Sequence, residues 1–245
     1  MILGSCARWM VALCLLVTFA GPASAQSLGE PFAGAGLTQT SLQLIAVISV
    51  LALAPGILVM ITSFPFIVTV LAILRQAIGL QQSPPNMLIV SLALFLTWHV
   101  MDPVFARAWT DGIKPVFDGE MELTDGVARA SVPFRQFMLD RVDDDALQTM
   151  MTATDRVVPD AGTGTIPFSV LIPTFMLSEI SRAFQVGFLI FLPFLIIDLV
   201  VAAVLMSMGM MMVPPAIVSL PFKLSFLVVS GGWSLISASL VRSYY

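Results

Sequence analysis

Charge is scarce in this chain. Of its 245 residues only 11% are Asp, Glu, Lys or Arg, while 58% are hydrophobic. A soluble domain carries ~25% charged and ~45–50% apolar residues. An ordinary water-soluble enzyme, a disordered chain and a coiled coil are therefore excluded. What remains is a protein of the membrane, or of a membrane-bound assembly. Basic residues are the rarer sign: 11 Lys and Arg stand against 15 Asp and Glu, a net charge of −4. That excludes the basic face on which a nucleic-acid binder depends. There is one histidine, His99, and there are two cysteines, Cys6 and Cys14. A single imidazole excludes an H-E-x-x-H zinc site and a bis-histidine haem. No G-x-S-x-G elbow, Walker loop or dinucleotide fingerprint occurs. No enzyme and no cofactor is expected.

The beginning of the chain reads as a leader. Arg8 supplies a positive n-region and Trp9 to Ala20 an apolar h-region, and Ala23-Ser24-Ala25 forms an A-x-A cleavage site. Residues 1–25 are thus expected to be a cleaved signal peptide, with Gln26 as the mature N-terminus. Both cysteines lie in that leader, so the mature chain is expected to hold no disulfide and no thiolate site.

Four apolar runs follow a short lead-in, Gln26 to Gln39. Leu42 to Leu74 carries no charge but contains Pro55 and Pro65, which are expected to bend or break it. Met87 to Met101 is the second run, closed by Asp102-Pro103. Ala183 to Phe222 contains a single charge, Asp198, is interrupted by Pro193 and turns at Pro214-Pro215. Leu224 to Val241 is the last. A bilayer core takes ~20 helical residues, so a simple count gives four spans. Arg75 then faces the cytoplasm, in keeping with the positive-inside rule.

Asp102 to Thr165 is different, holding twelve of the fifteen acids and six of the eleven bases. This solvated part reads as helical. Ser131 is the expected N-cap of a helix with Pro133 in its first turn and Phe134, Phe137, Met138 and Val142 on one face. Asp143-Asp144-Asp145 opens a second helix that reaches about Ala153. Gly162-Thr163-Gly164 is a flexible exit. The chain thus divides into residues 1–25 (leader), 26–101 (N-terminal apolar helices in a bent hairpin), 102–165 (acidic, extracytoplasmic) and 166–245 (C-terminal apolar hairpins).

Charges inside apolar runs point to packing partners, because an acid at the centre of a lipid-facing helix costs ~2.5–3.5 kcal/mol. Glu179, Arg182, Asp198 and Lys223 should face protein or water. Glu179 and Arg182 are spaced i, i+3 and can neutralise each other. Asp198 and Lys223 have no local partner. They pair with each other across the Pro214-Pro215 turn, or with another subunit; structural pairing is favoured over proton relay. Met206, Met208, Met210, Met211 and Met212 place five thioethers in seven residues beside helix breakers. Methionine adapts to irregular partners, and irregular backbone at membrane depth is tolerated only in protein or along a water-filled cavity. These methionines therefore either form a soft gasket around a passage or merely fill an apolar helix.

Ordered stretches of sequence carry a family resemblance. They are Pro84-Pro85-Asn86; Leu92-Ala93-Leu94-Phe95-Leu96-Thr97; Pro133-Phe134-Arg135-Gln136-Phe137-Met138; Ser178-Glu179 with Ala183-Phe184-Gln185-Val186-Gly187-Phe188; Pro193-Phe194-Leu195-Ile196-Ile197-Asp198-Leu199; Met208-Gly209-Met210-Met211-Met212-Val213-Pro214-Pro215; and Leu220-Pro221-Phe222-Lys223-Leu224. Together they resemble the FliP family of flagellar biosynthesis proteins, core subunits of the type III protein export gate. Pro65-Phe66 and Gly231 depart from the family's usual residues.

The resemblance implies an all-α fold of kinked, membrane-associated helical hairpins packed in an oligomeric gate. It implies a pentamer joined by FliQ and FliR, with FlhB and FlhA as neighbours, at the bacterial inner membrane and flagellar basal body. The cargo it implies is unfolded flagellar proteins. Met206, Met208, Met210, Met211 and Met212 would constrict the pore, with Gly209, Pro214 and Pro215 setting the loop geometry. Glu179, Arg182, Asp198 and Lys223 would make charge pairs that fix subunit register. Two rival readings stand beside it. The injectisome homologue shares the C-terminal motifs but generally lacks a cleaved leader. A four-span small-solute transporter would want polar groups converging at mid-membrane, which are scarce here. An intramembrane protease fails because Asp198 has no second aspartate in any apolar run.

Overall fold

A computed structural model describes residues 35–80, 84–153, 166–210 and 212–245. The leader with Ala23, Ala25 and Gln26, the exit Gly162-Thr163-Gly164 and Met211 lie outside the described residues. The chain divides into two compact units, residues 1–52 and 53–245.

Every regular element among the described residues is a helix: α1 (Ala35–Met60), α2 (Phe64–Ile78), α3 (Asn86–Ala108), a π-helical turn (Trp109–Ile113), α4 (Lys114–Phe117), α5 (Leu123–Leu139), α6 (Asp144–Ala153), α7 (Phe168–Ser207), α8 (Pro215–Val229) and α9 (Gly232–Arg242). This is the all-α fold that the family resemblance implies, in a chain whose composition suits a membrane. In an apolar medium a helix satisfies its backbone within itself, which no open sheet can do.

Several expected boundaries move. The first turn of α1 already takes up the end of the lead-in, from Ala35. The first apolar run breaks at Ile61–Ser63. Pro55 lies inside α1, while Pro65 sits in the first turn of α2, where its missing N–H costs nothing. The second run does not stop at Asp102-Pro103; α3 continues through Pro103 to Ala108. Ser131 caps nothing, because α5 starts eight residues earlier at Leu123 and encloses both Ser131 and Pro133. The Ser131 hydroxyl instead donates back to the Ala128 carbonyl at 2.7 Å. Pro193 does not interrupt α7, which runs unbroken for 40 residues with Pro173 and Pro193 inside it. The helix opened by Asp143-Asp144-Asp145 stands as read, at Asp144–Ala153.

The count of four spans also changes. Among the described residues two helical stretches are long and apolar enough to cross a membrane, Asn86–Phe117 and Phe168–Ser207. A third exists if α8 and α9, bent by 59° at Ser230–Gly231, count as one. At 15 residues α2 is short of a span. It is instead the centre of the core in the unit 53–245. Phe66, Ile67, Val70, Leu71, Leu74, Ala77 and Ile78, at helical spacing, are essentially inaccessible. One end of that face packs with Ile89, Ala93 and Val100 of α3, Ala183 of α7 and Leu240 of α9. The other packs with Phe194 of α7 and Leu227 of α8. In apolar surroundings helices associate through close packing more than through water exclusion. Gly187 of α7 lets the backbone come close enough: a Cβ there would lie 2.4 Å from Ile73 Cδ1. A third cluster, Met138, Leu171 and Phe175, joins α5 to the first turns of α7.

Candidate functional site

Three features near α7 collect the residues singled out by sequence. The first is a buried cluster at Glu179, which is fully inaccessible. Such a carboxylate needs partners on both oxygens. Oε1 takes Arg141 Nε at 3.0 Å, from the turn between α5 and α6. Oε2 takes the phenol of Tyr244, which follows α9. Arg182 Nη1 stands 3.6 Å from Oε1. The i, i+3 pair with Arg182 is therefore present, but it is the looser and more exposed of two. Arg141 Nη1 also donates to the Ser243 carbonyl at 2.9 Å, and the Asp143 N–H donates to Ser178 Oγ at 3.1 Å. Burial and then the Glu179 charge push the Tyr244 phenol up, far above its ordinary range, so it remains a donor.

The second cluster brings Asp198 and Lys223 together. Lys223 Nζ lies 2.6 Å from Asp198 Oδ2 and 3.2 Å from the Ala77 carbonyl at the end of α2. Ser219 Oγ donates to Asp198 Oδ1 at 2.5 Å. The two stranded charges of the sequence thus meet within one chain, across the Pro214-Pro215 turn. Lys223 is nearly buried, whereas the Asp198 side chain keeps 39% of its exposure.

The third feature is the methionine segment between α7 and α8. Met208 is the C-cap of α7, and Gly209 has φ +76°. The Met210 N–H donates to the Leu205 carbonyl at 3.0 Å, and the Gly209 N–H to the Met206 carbonyl at 3.0 Å. This nested pair is a Schellman motif, which closes a helix with a left-handed residue, usually glycine. Pro214 then caps α8, and Pro215 occupies its first turn. The described thioethers of this segment lie at the surface of the chain. Met206 and Met208 are exposed, Met210 is partly so, and Met212 is 97% exposed.

Arg141, Tyr244, Ser219 and the Ala77 carbonyl were not singled out in the sequence. Arg141 and Tyr244 lie 38 and 65 positions from Glu179, beyond any local periodicity. One signal was available. The chain has only two tyrosines, and a buried acid wants a donor with an apolar body.

Comparison with known proteins gives the family. A model of the FliP family matches residues 47–240. The flagellar biosynthetic protein FliP of Caulobacter vibrioides is 54% identical over 211 residues, covering 86% of this chain and 79% of that protein. The Rhizobium meliloti protein of the same name is 44% identical, over 97% of this chain and 99% of its own length. That of Bacillus subtilis is 40% identical over 84% of this chain and 92% of its own. The family model takes in the second and third features around α7 and all of the first except Ser243 and Tyr244, and the chain belongs to the FliP family.

Proposed function

We propose that this chain is the pore-forming subunit of the flagellar type III protein export gate, conducting unfolded flagellar proteins across the inner membrane without covalent chemistry. The observation that carries this reading is the methionine tip. Its described side chains, Met206, Met208, Met210 and Met212, are exposed, yet its backbone is fixed at both ends by the Schellman motif and by Pro214-Pro215. A rigid frame carrying soft, polarizable side chains suits a gasket that seals against ions and deforms around a passing polypeptide. Met206, Met208, Met210, Met211 and Met212 are its residues, and Gly209, Pro214 and Pro215 are its frame.

The same reading makes the subunit a pentamer with FliQ and FliR, with FlhB and FlhA nearby. It is supported by large apolar side chains exposed along α3 and α7, among them Phe95, Trp98, Phe188 and Leu189. The acidic segment 102–165 then lies on the outer side, and residues 1–25 are a signal peptide cleaved before Gln26. The relatives carry the flagellar name, which favours the flagellar over the injectisome role.

The test is deletion of Met210 to Met212. Cells expressing the variant should leak ions or small molecules while the complex still assembles. Normal assembly with unchanged leakage would overturn the gasket.

A further inference from the structure

The residues after α9 touch α2, α3, α5 and α7 within three positions of chain. Tyr244 meets α2 through Phe66, whose ring lies edge-on with centroids 5.7 Å apart. It meets α5 through Phe137, stacked at 6.0 Å and 15°, and Phe137 continues to Phe175 of α7 at 5.8 Å. The Arg141 guanidinium sits 4.0 Å over the Tyr244 ring, and the phenol reaches Glu179 of α7. The residues on either side are tied as well. The Ser243 carbonyl accepts from Arg141, and the Tyr245 hydroxyl donates to the His99 carbonyl of α3 at 3.4 Å.

We propose that Tyr244 is a latch: its phenol–Glu179 bond holds α9 and the 141–143 turn of the acidic segment against α7 as one coupled unit. Two observations make the coupling physical. Glu179 Oε1 is held by Arg141 and Oε2 by Tyr244, so one inaccessible carboxylate carries both attachments, and loss of the phenol leaves Oε2 without its donor. α9 follows α8 after a 59° bend at Ser230–Gly231, where Gly231 has φ +60°. Leu240 packs α9 into the core, and the latch adds a polar tie just beyond its far end. Tyrosine is suited to the task because its ring fills the aromatic gap while its hydroxyl satisfies the acid. Phenylalanine would keep the first and lose the second.

Hydrogen exchange of the full-length protein, purified from the membrane with its accompanying subunits, tests the latch. Local opening sets exchange rates segment by segment, and losing a donor to a buried carboxylate is worth about a tenfold change in such an equilibrium. Tyr244→Phe should speed exchange about tenfold in residues 141–147 and in α9 together, leaving the α2–α7 contact unchanged. Glu179→Gln should give the same pattern, and the double variant should open no further than the faster single one. Unchanged exchange at 141–147 in Tyr244→Phe would overturn the proposal, as would additive effects in the double variant. The readout does not depend on export, so it stands or falls apart from the gasket.

Discussion

The ammonium of Lys223 bridges Asp198 of α7, at 2.6 Å, and the last buried turn of α2, through the Ala77 carbonyl at 3.2 Å. One cation thus ties together the base of the hairpin that carries the methionines and the central helix of the core. The two ends of the pair are unequal, since Lys223 is 8% exposed and Asp198 39%. Asp198→Ala leaves a buried ammonium with the Ala77 carbonyl but no counter-charge, a loss of ~3–5 kcal/mol. Lys223→Ala leaves a carboxylate that still has the Ser219 hydroxyl and some water, a loss nearer ~1–3 kcal/mol. Thermal unfolding in detergent should place Asp198→Ala clearly below Lys223→Ala. The double variant should sit close to Lys223→Ala instead of at the sum.

Gly209 tests the frame of the methionine tip without touching its side chains. Its φ is +76°, and a Cβ added there meets nothing within 4 Å. The cost of Gly209→Ala is therefore all backbone, ~1–2 kcal/mol for a left-handed residue. Gly209→Asn should recover much of that, because asparagine tolerates this region. Alanine should lower the unfolding temperature and raise ion leakage in cells, with asparagine between alanine and wild type on both measures. Equal behaviour of the two variants would mean that the Schellman geometry does not control the tip.

How far the sequence could be read depended on whether each feature had a local cause. The apolar runs and the acidic middle gave the helical membrane class directly, and the stranded Asp198 and Lys223 pointed at each other because neither had another partner nearby. Helix ends were harder. α5 begins after Glu122 with no side-chain cap, so there was no start signal, and Ser131 supplied a false one by bonding back inside the helix. Pro193 read as a break, but one missing N–H is a small defect in a helix of 40 residues. The Glu179 cluster was legible only as its weaker half, the i, i+3 pair with Arg182. Its stronger half comes from two turns of chain that only the fold brings close.

That division within the Glu179 cluster is itself measurable. Arg141 is 12% exposed and makes a 3.0 Å contact, while Arg182 is 36% exposed at 3.6 Å. A solvent-screened pair such as Arg182–Glu179 contributes ~0–1 kcal/mol. Removing the buried partner costs ~3–5 kcal/mol. Arg141→Ala should therefore sharply lower the yield of folded complex on native gels, and Arg182→Ala should not. Arg141→Lys should resemble the alanine variant, since an ammonium cannot serve Glu179 and the Ser243 carbonyl as a guanidinium does. Equal yields for Arg141→Ala and Arg182→Ala would show that sequence proximity, not burial, sets the pairing.

The contact between the π-helical turn and α5 offers a paired test of close packing. A Cβ on Gly112 would lie 2.5 Å from the Ala130 backbone nitrogen and 2.6 Å from the Gly126 carbonyl oxygen. One on Gly126 would lie 2.1 Å from Val116 Cγ2 of α4, with the Gly112 carbonyl oxygen a less severe 3.0 Å away. The obstacles differ in kind, because backbone in a helix cannot step aside and a valine methyl can be removed. Both Gly112→Ala and Gly126→Ala should destabilise the acidic segment, by at least the ~1–3 kcal/mol of an overpacked core. Adding Val116→Ala should restore most of the loss from Gly126→Ala, while Ala130→Gly should restore little of that from Gly112→Ala. Protease resistance of residues 102–153 in the membrane-bound protein reads out both pairs. Rescue of Gly112→Ala by Ala130→Gly would mean that the Ala130 methyl, which a Cβ would meet at 2.6 Å, is the true obstacle and that the two backbones can part.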